Sequence, residues 1–127
     1  MRNHNTQGLL LASTARTATT YSELQENDYW RGVKVFINCT AKGGTATPSV
    51  TFTVQERDHV GGGWSDVLTS AAVTDVTTSP TVLVVYPGNA AVSNKVSDEP
   101  LSREWRIKAT HADTDSITYS VSYCYII

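Results

Sequence analysis

The stretch His111–Val121, "HADTDSITYSV", places a histidine, two aspartates and a serine within six positions. Those residue types can build a nucleophile with its base and orienting acid, or they can supply oxygen ligands to a cation. Nucleophilic catalysis needs the three groups to meet in space at about 3 Å in a defined order. His111, Asp113, Asp115 and Ser116 are too close along the chain to reach that geometry without a strained loop, and no "GxSxG" elbow surrounds Ser116. A calcium loop starting at Asp113 would need an acid or amide, a glycine and an acid where Ile117, Thr118 and Cys124 stand. A looser site completed by other loops stays open as an alternative. The remaining reading is conformational. Aspartate side chains accept hydrogen bonds from backbone N–H groups two residues on and favour turns. Asp113 and Asp115 are therefore expected to mark a hairpin turn between the last two strands.

The other chemistry-bearing residues are dispersed. His4, His59 and His111 and the two cysteines, Cys39 and Cys124, lack zinc-ligand spacing, and no metal or cofactor is expected. Cys39 reads as a small buried hydrophobe. Tyr119, Tyr123 and Tyr125 share one strand face, which could form a sugar-stacking platform or simply pack. Trp64 and Trp105 read as core or core-rim residues.

The elements that must position these residues are strands. In "GVKVFINCT", Val33, Val35, Ile37 and Cys39 alternate with Lys34, Asn38 and Thr40. In "SVTFTVQERD", Val50, Phe52 and Val54 point one way, and Thr51, Thr53 and Gln55 the other. In "EWRIKATHA", Trp105, Ile107 and Ala109 alternate with Arg106, Lys108 and Thr110, and Ile117, Tyr119, Val121, Tyr123 and Tyr125 repeat the pattern at the end. Period-2 alternation marks half-buried strands. "TVLVVY" is a continuous apolar run, as in a strand covered on both sides. The stretch "YSELQENDYW" is the best helical candidate, with Ser22 as its cap. Turn residues punctuate the chain at "AKGGTATP", "DHVGGG" and "YPGN". The expected fold is all-β: a single antiparallel β-sandwich, jelly-roll or immunoglobulin-like, of about seven to eight strands with an N-terminal extended arm. Residues 1–8 form the polar arm and residues 9–127 the domain.

The bulk numbers narrow the function classes. A length of 127 residues fits one domain with a real core. Charged residues make up 17%, the net charge is −2 and the pI is about 5.8. A nucleic-acid binder would carry a basic field, so nucleic acid is not an expected partner. "MRNHNTQG" followed by "LLLA" is too short an apolar run for an export signal, and no run approaches a membrane span. The chain is expected to be made in a cytoplasm, with its cysteines reduced and the "NCT" sequon at Asn38 unused.

Six segments in this order, "LLASTARTAT", "RGVKVFINCTA", "PSVTFTVQERD", "GWSDVLTSAAVT", "VLVVYPGNA" and "REWRIKATHADTDSITYSV", resemble a family of small virion proteins of tailed bacteriophages, described as minor capsid, decoration or cement proteins. The resemblance spans nearly the whole chain from Leu9 and is most specific in "YPG" and "WRIKATHADTDSITYSV". It implies a non-enzymatic structural protein that binds the outside of the major capsid protein shell and stabilises it, as a monomer, dimer or trimer. Its location would be the virion surface, after assembly in the host bacterial cytoplasm. A tail-associated structural role, or a carbohydrate-binding adsorption module on the particle, is the alternative.

Two segments are candidates for partner contact. The first is the polar terminus, with Arg2, Asn3, His4, Asn5 and Gln7, which has no core-forming residue and could add a strand to a partner's sheet. The second is the long connection after "YPG", with Asn89, Ser93, Asn94 and Lys95. Each also has a plain alternative, an arm folded on its own domain and a solvated crossover.

Overall fold

The computed structural model describes residues 7–44 and 47–127. It is all-β. Ten strands occupy Gln7–Arg16 (β1), Thr20–Tyr21 (β2), Gln25–Glu26 (β3), Gly32–Lys42 (β4), Val50–Arg57 (β5), Trp64–Thr69 (β6), Thr81–Val85 (β7), Val96–Ser97 (β8), Glu104–His111 (β9) and Ile117–Ile126 (β10). The count exceeds the expected seven to eight because β2, β3 and β8 are two-residue pieces too short to leave an alternation in the sequence. The helical candidate at 21–30 is not a helix. Ser22 pairs with Ile107 through both its backbone N–H and its hydroxyl, which draws this segment onto the edge of β9.

The strands form two mostly antiparallel sheets. The first runs β1-β10-β4-β7-β8, with β7 and β8 parallel, and the second runs β2-β9-β5-β6, with β3 also on β9. The inner faces of both sheets supply one shared core. Val33, Val35, Ile37 and Cys39 of β4 are buried there, with Val50, Phe52 and Val54 of β5, Trp105, Ile107 and Ala109 of β9, and Ile117, Tyr119 and Val121 of β10. Rings meet across the gap: Phe52 packs edge-on to Tyr119 at 5.0 Å, and Trp105 edge-on to Tyr123 at 5.5 Å. Such edge-to-face pairs set the positive rim of one ring against the negative face of the other. The apolar run of β7 is covered on one face only. Leu83 and Val85 are buried, whereas Val82 and Val84 sit half-buried beside Phe36 and Lys34 on the outside.

Among the described residues, the only antiparallel pair of consecutive strands is β5–β6, turned by "DHVGGG". The Asp58 carboxylate accepts the Val60 N–H, the Asp58 carbonyl accepts the Gly62 N–H, and Gly62 adopts the φ of +79° that this turn requires. The connection at 112–116 is not a hairpin turn. β9 lies in the second sheet and β10 in the first, so this segment crosses between sheets. Period-2 patterning shows where two strands end. It does not show whether they pair with each other.

Candidate functional site

The crossing at 112–116 is bonded to the described residues between β4 and β5, 43–44 and 47–49. The strands at its two ends are neighbours in their own sheets: Ile117 faces Lys42, and Val50 faces His111. Backbone bonds zip the two segments together, from Gly43 N–H to the Ser116 carbonyl and from Ala112 N–H to the Ser49 carbonyl, both 3.0 Å. The acids complete the zip. Asp113 accepts the Asp115 N–H at 3.0 Å, an Asx turn, and Asp115 accepts the Thr47 N–H at 3.0 Å. The turn-forming chemistry expected of Asp113 and Asp115 is present, in an inter-sheet crossing instead of a hairpin.

His111 makes no hydrogen bond to these acids. Its Nε2 lies 2.8 Å from the Tyr119 hydroxyl, its Nδ1 is buried without a partner, and its backbone N–H donates to the Thr19 hydroxyl. Burial holds the imidazole below its usual pKa; nearby Arg16 adds to this and Asp113 opposes it. Arg16 stands over the Tyr119 ring at 4.7 Å and donates to the carbonyls of Tyr119, Ala12 and Thr14. Burial also raises the Tyr119 phenol. The His–Tyr pair is thus a packed, mostly neutral unit that seals one end of the core. The residues of "HADTDS" are sorted into separate hydrogen-bonding tasks and do not converge on one point.

The partner-contact candidates divide by edge. Arg2, Asn3, His4 and Asn5 lie outside the described residues. Gln7 and Gly8, assigned to the arm, instead open β1, where they pair with Cys124 and Tyr123. The arm boundary therefore moves back to residue 6, because the backbone ladder extends two residues past the apolar run. β1 is the end strand of its sheet, so one side of its backbone has no strand partner among the described residues. Arg16 occupies carbonyls in the C-terminal half of β1, whereas Gln7–Leu11 carries no such cover among the described residues. Leu9 is 61% exposed there.

Asn89, Ser93, Asn94 and Lys95 lie at the opposite edge of the same sheet. This connection is not structureless. Asn94 adopts φ 63° in a tight turn, Lys95 N–H donates to the Val92 carbonyl, and the chain returns as β8 beside β7. Ser93, Asn94 and Lys95 line a shallow groove of about 320 Å³ with Pro80 and Val82. Four strand spacings separate β1 from β8, roughly 19 Å at about 4.8 Å each.

The outer face of the second sheet holds a constellation that the sequence reading did not assemble. Arg106 is clamped between Trp64, 3.9 Å from its guanidinium carbon, and Tyr21 at 4.3 Å. Its Nε donates to Gln55 Oε1 at 2.9 Å, and Gln55 Nε2 donates to Asp66 at 2.8 Å. Thr53 and Thr69 join hydroxyls at 3.0 Å on the same face. These bonds bury Thr53 and Gln55, at 5% and 6% exposure, although alternation alone marks them as solvent-facing. Trp64, expected in the core or at its rim, lies on this outer face opposite Arg57. The signal for the cluster was present in part: Gln55 and Arg106 both alternate outward. Their meeting depends on the Gln55–Arg106 and Gln55–Asp66 register, which no single strand encodes.

The tyrosine platform is corrected by burial. Tyr119 is fully buried, and Tyr123 and Tyr125 pack against the core, so the row faces inward. Trp30 stacks parallel to Tyr125 at 5.9 Å with Tyr29 edge-on beside it, closing the end of the core near Asn27. Both cysteines are free thiols. Cys39 is buried, which raises its pKa, and Cys124 lies on the opposite side of the first sheet beside Lys34. No group of three or more potential metal-ligating side chains is found among the described residues. No helix of the described residues is long and apolar enough to cross a membrane. Compared with known proteins, the chain matches no family model and no curated sequence.

Proposed function

We propose that this chain is a virion structural protein, a decoration or cement protein that binds the outside of a major capsid protein shell as a jelly-roll β-sandwich. Strand order supports the fold reading. With β2 and β3 taken as one strand and β8 as an addition, eight strands remain, and they pair from the outside in: β1 with β10, β2/β3 with β9, β4 with β7, β5 with β6. This nested winding supports a jelly roll, a double-sheet architecture used by capsid and lectin domains alike. An immunoglobulin-like sandwich would place its last two strands in one sheet. Fold alone does not select a function.

The observation that carries the particle reading is the edge of β1 over Gln7–Leu11, which has no strand partner among the described residues. An uncapped edge offers backbone donors and acceptors to a partner strand. The Asn89–Lys95 connection, about 19 Å away at the other edge, gives the same sheet a second contact point. Two modest contacts on one rigid body, repeated over a shell, hold through avidity.

The test is co-sedimentation with shells assembled without the protein. Removal of residues 2–6 is expected to lower occupancy strongly, and Leu9→Lys, which places a charge at an exposed position of this edge strand, is expected to lower it further while leaving the core intact. Undiminished binding by both variants would contradict the edge as the attachment element.

A further inference from the structure

We infer that the outer face of the second sheet is a docking surface for an acidic protein surface, read by Arg106 and Lys108. The two side chains alternate on β9 with buried Ile107 between them, so they emerge on the same face roughly 6.8 Å apart. Arg106 is immobilised before any partner arrives: Trp64 and Tyr21 hold its plane and Gln55 holds its Nε. Its two Nη groups have no hydrogen-bond or ion-pair partner among the described residues. They form the edge of a guanidinium fork, whose geometry matches a carboxylate in bidentate fashion. Lys108 lies 5.8 Å from the Tyr21 ring and likewise has no ion pair among the described residues.

The carboxylates on this face leave the two cations available. Asp66 is engaged by Gln55, and Glu104 by Arg57 at 3.5 Å. A chain with net charge −2 therefore presents two adjacent cations without an ion pair among the described residues, and Arg106 is held in place. Fixing the arginine in advance removes the side-chain ordering cost that usually weakens an exposed ion pair.

The same observations choose among occupants. The ring faces that flank Arg106 are filled by its guanidinium, so they cannot also stack a sugar. Arg106, Trp64 and Tyr21 line none of four grooves found among the described residues, which lie elsewhere on the surface. Asp66 and Glu104 flank the cations, and a continuous polyanion such as nucleic acid would be forced against them. A protein surface with discrete Asp or Glu side chains avoids that repulsion. A partner strand with acids at alternate positions matches the spacing of Arg106 and Lys108 directly. The inference does not depend on the particle reading, since it names the partner's chemistry and a different sheet from the β1 edge.

The experiment titrates the full chain, labelled with nitrogen-15, with the peptide Ac-TETETET-NH2 at low salt and follows the Trp64 indole and Arg106 Nε–H signals. Saturable shifts at these two groups are expected, with a millimolar dissociation constant that weakens on addition of salt. Arg106→Lys, which keeps the charge and loses the fork, and Lys108→Gln are each expected to weaken binding about fivefold. Lys34→Gln, on the outside of the other sheet, is expected to leave binding unchanged. The inference is overturned if the glutamine peptide Ac-TQTQTQT-NH2 binds equally, if Arg106→Lys and Lys108→Gln both bind like the parent, or if no signal moves. Tighter binding of oligogalacturonate than of the acidic peptide would make the surface a saccharide site and overturn it as well.

Discussion

The two outer faces of this molecule are built on different principles. On the second sheet, side chains of β9, β5 and β6 form a continuous polar lattice, from Arg106 through Gln55 to Asp66, roofed by Tyr21 and Trp64. On the first sheet, the register places Leu9, Ser122, Phe36 and Val82 in a row across β1, β10, β4 and β7, with Lys34 the charged residue alongside. The inner faces are equivalent in kind: both are aliphatic and aromatic, and they merge in one core. The lesson is that the same period-2 pattern yields one face that is tied together laterally and another that is not. Lateral ties stiffen the second sheet's surface into a fixed display of charge, whereas the first sheet offers its edges.

The largest effect is expected where the two faces depend on common support. Trp105→Ala empties a fully buried site and also removes ring contacts to Tyr123 and Tyr125. It is expected to cost about 3–5 kcal/mol in denaturant unfolding, with both sheets lost in one transition. Separate transitions for the two sheets would break the shared-core account.

Gln55→Ala sharpens the contrast. It removes two charge-assisted hydrogen bonds, one to half-buried Arg106 and one to exposed Asp66, and about 1–3 kcal/mol of destabilisation is expected. Phe36→Ala on the other outer face removes a half-buried ring with no lateral hydrogen bonds, and less than the full-burial penalty is expected from the same melts. Equal or reversed costs would show that the lattice adds nothing to simple burial.

A smaller change, about 0.5–2 kcal/mol, is expected for Asp115→Ala, which unties Thr47 from the inter-sheet crossing. Amide exchange should quicken at Thr47 and Ser116 before it quickens in β9 or β10.

The smallest effect is a pH dependence at the same end of the molecule. His111 has a folded pKa depressed chiefly by burial, so the unfolded chain binds its proton more readily than the folded one. Stability is therefore full above the ordinary histidine value and declines as pH falls from that value through the lower folded one. His111→Gln should flatten this slope between about pH 7 and 5, a range set by the ordinary histidine pKa near 6.5. A slope that survives the substitution would move the titration to another group.

Much of this was legible in the sequence, and the failures share one cause. Alternation correctly selected Val33, Val35, Ile37 and Cys39, Trp105, Ile107 and Ala109, and the inward row from Ile117. It placed the breaks near residues 43–49, 58–63 and 112–116. It did not show that β9 and β10 part into different sheets, or that Gln55 on β5 meets Arg106 on β9, because partner choice between strands is set by long-range register. Ser22 misled in a similar way: a cap-like serine before a mixed segment became a backbone and hydroxyl partner of Ile107 on the sheet edge. Trp64 after three glycines carried no sign of its face until β6 was aligned with β5.

The central claim is attachment to a shell through the first sheet's open edge, and cryo-electron microscopy of decoration-free shells incubated with the chain tests it most directly. The account predicts extra density on the outer surface in which β1 lies against a shell strand along Gln7–Leu11. Bare shells at saturating protein, or attachment with β1 facing solvent, would contradict it.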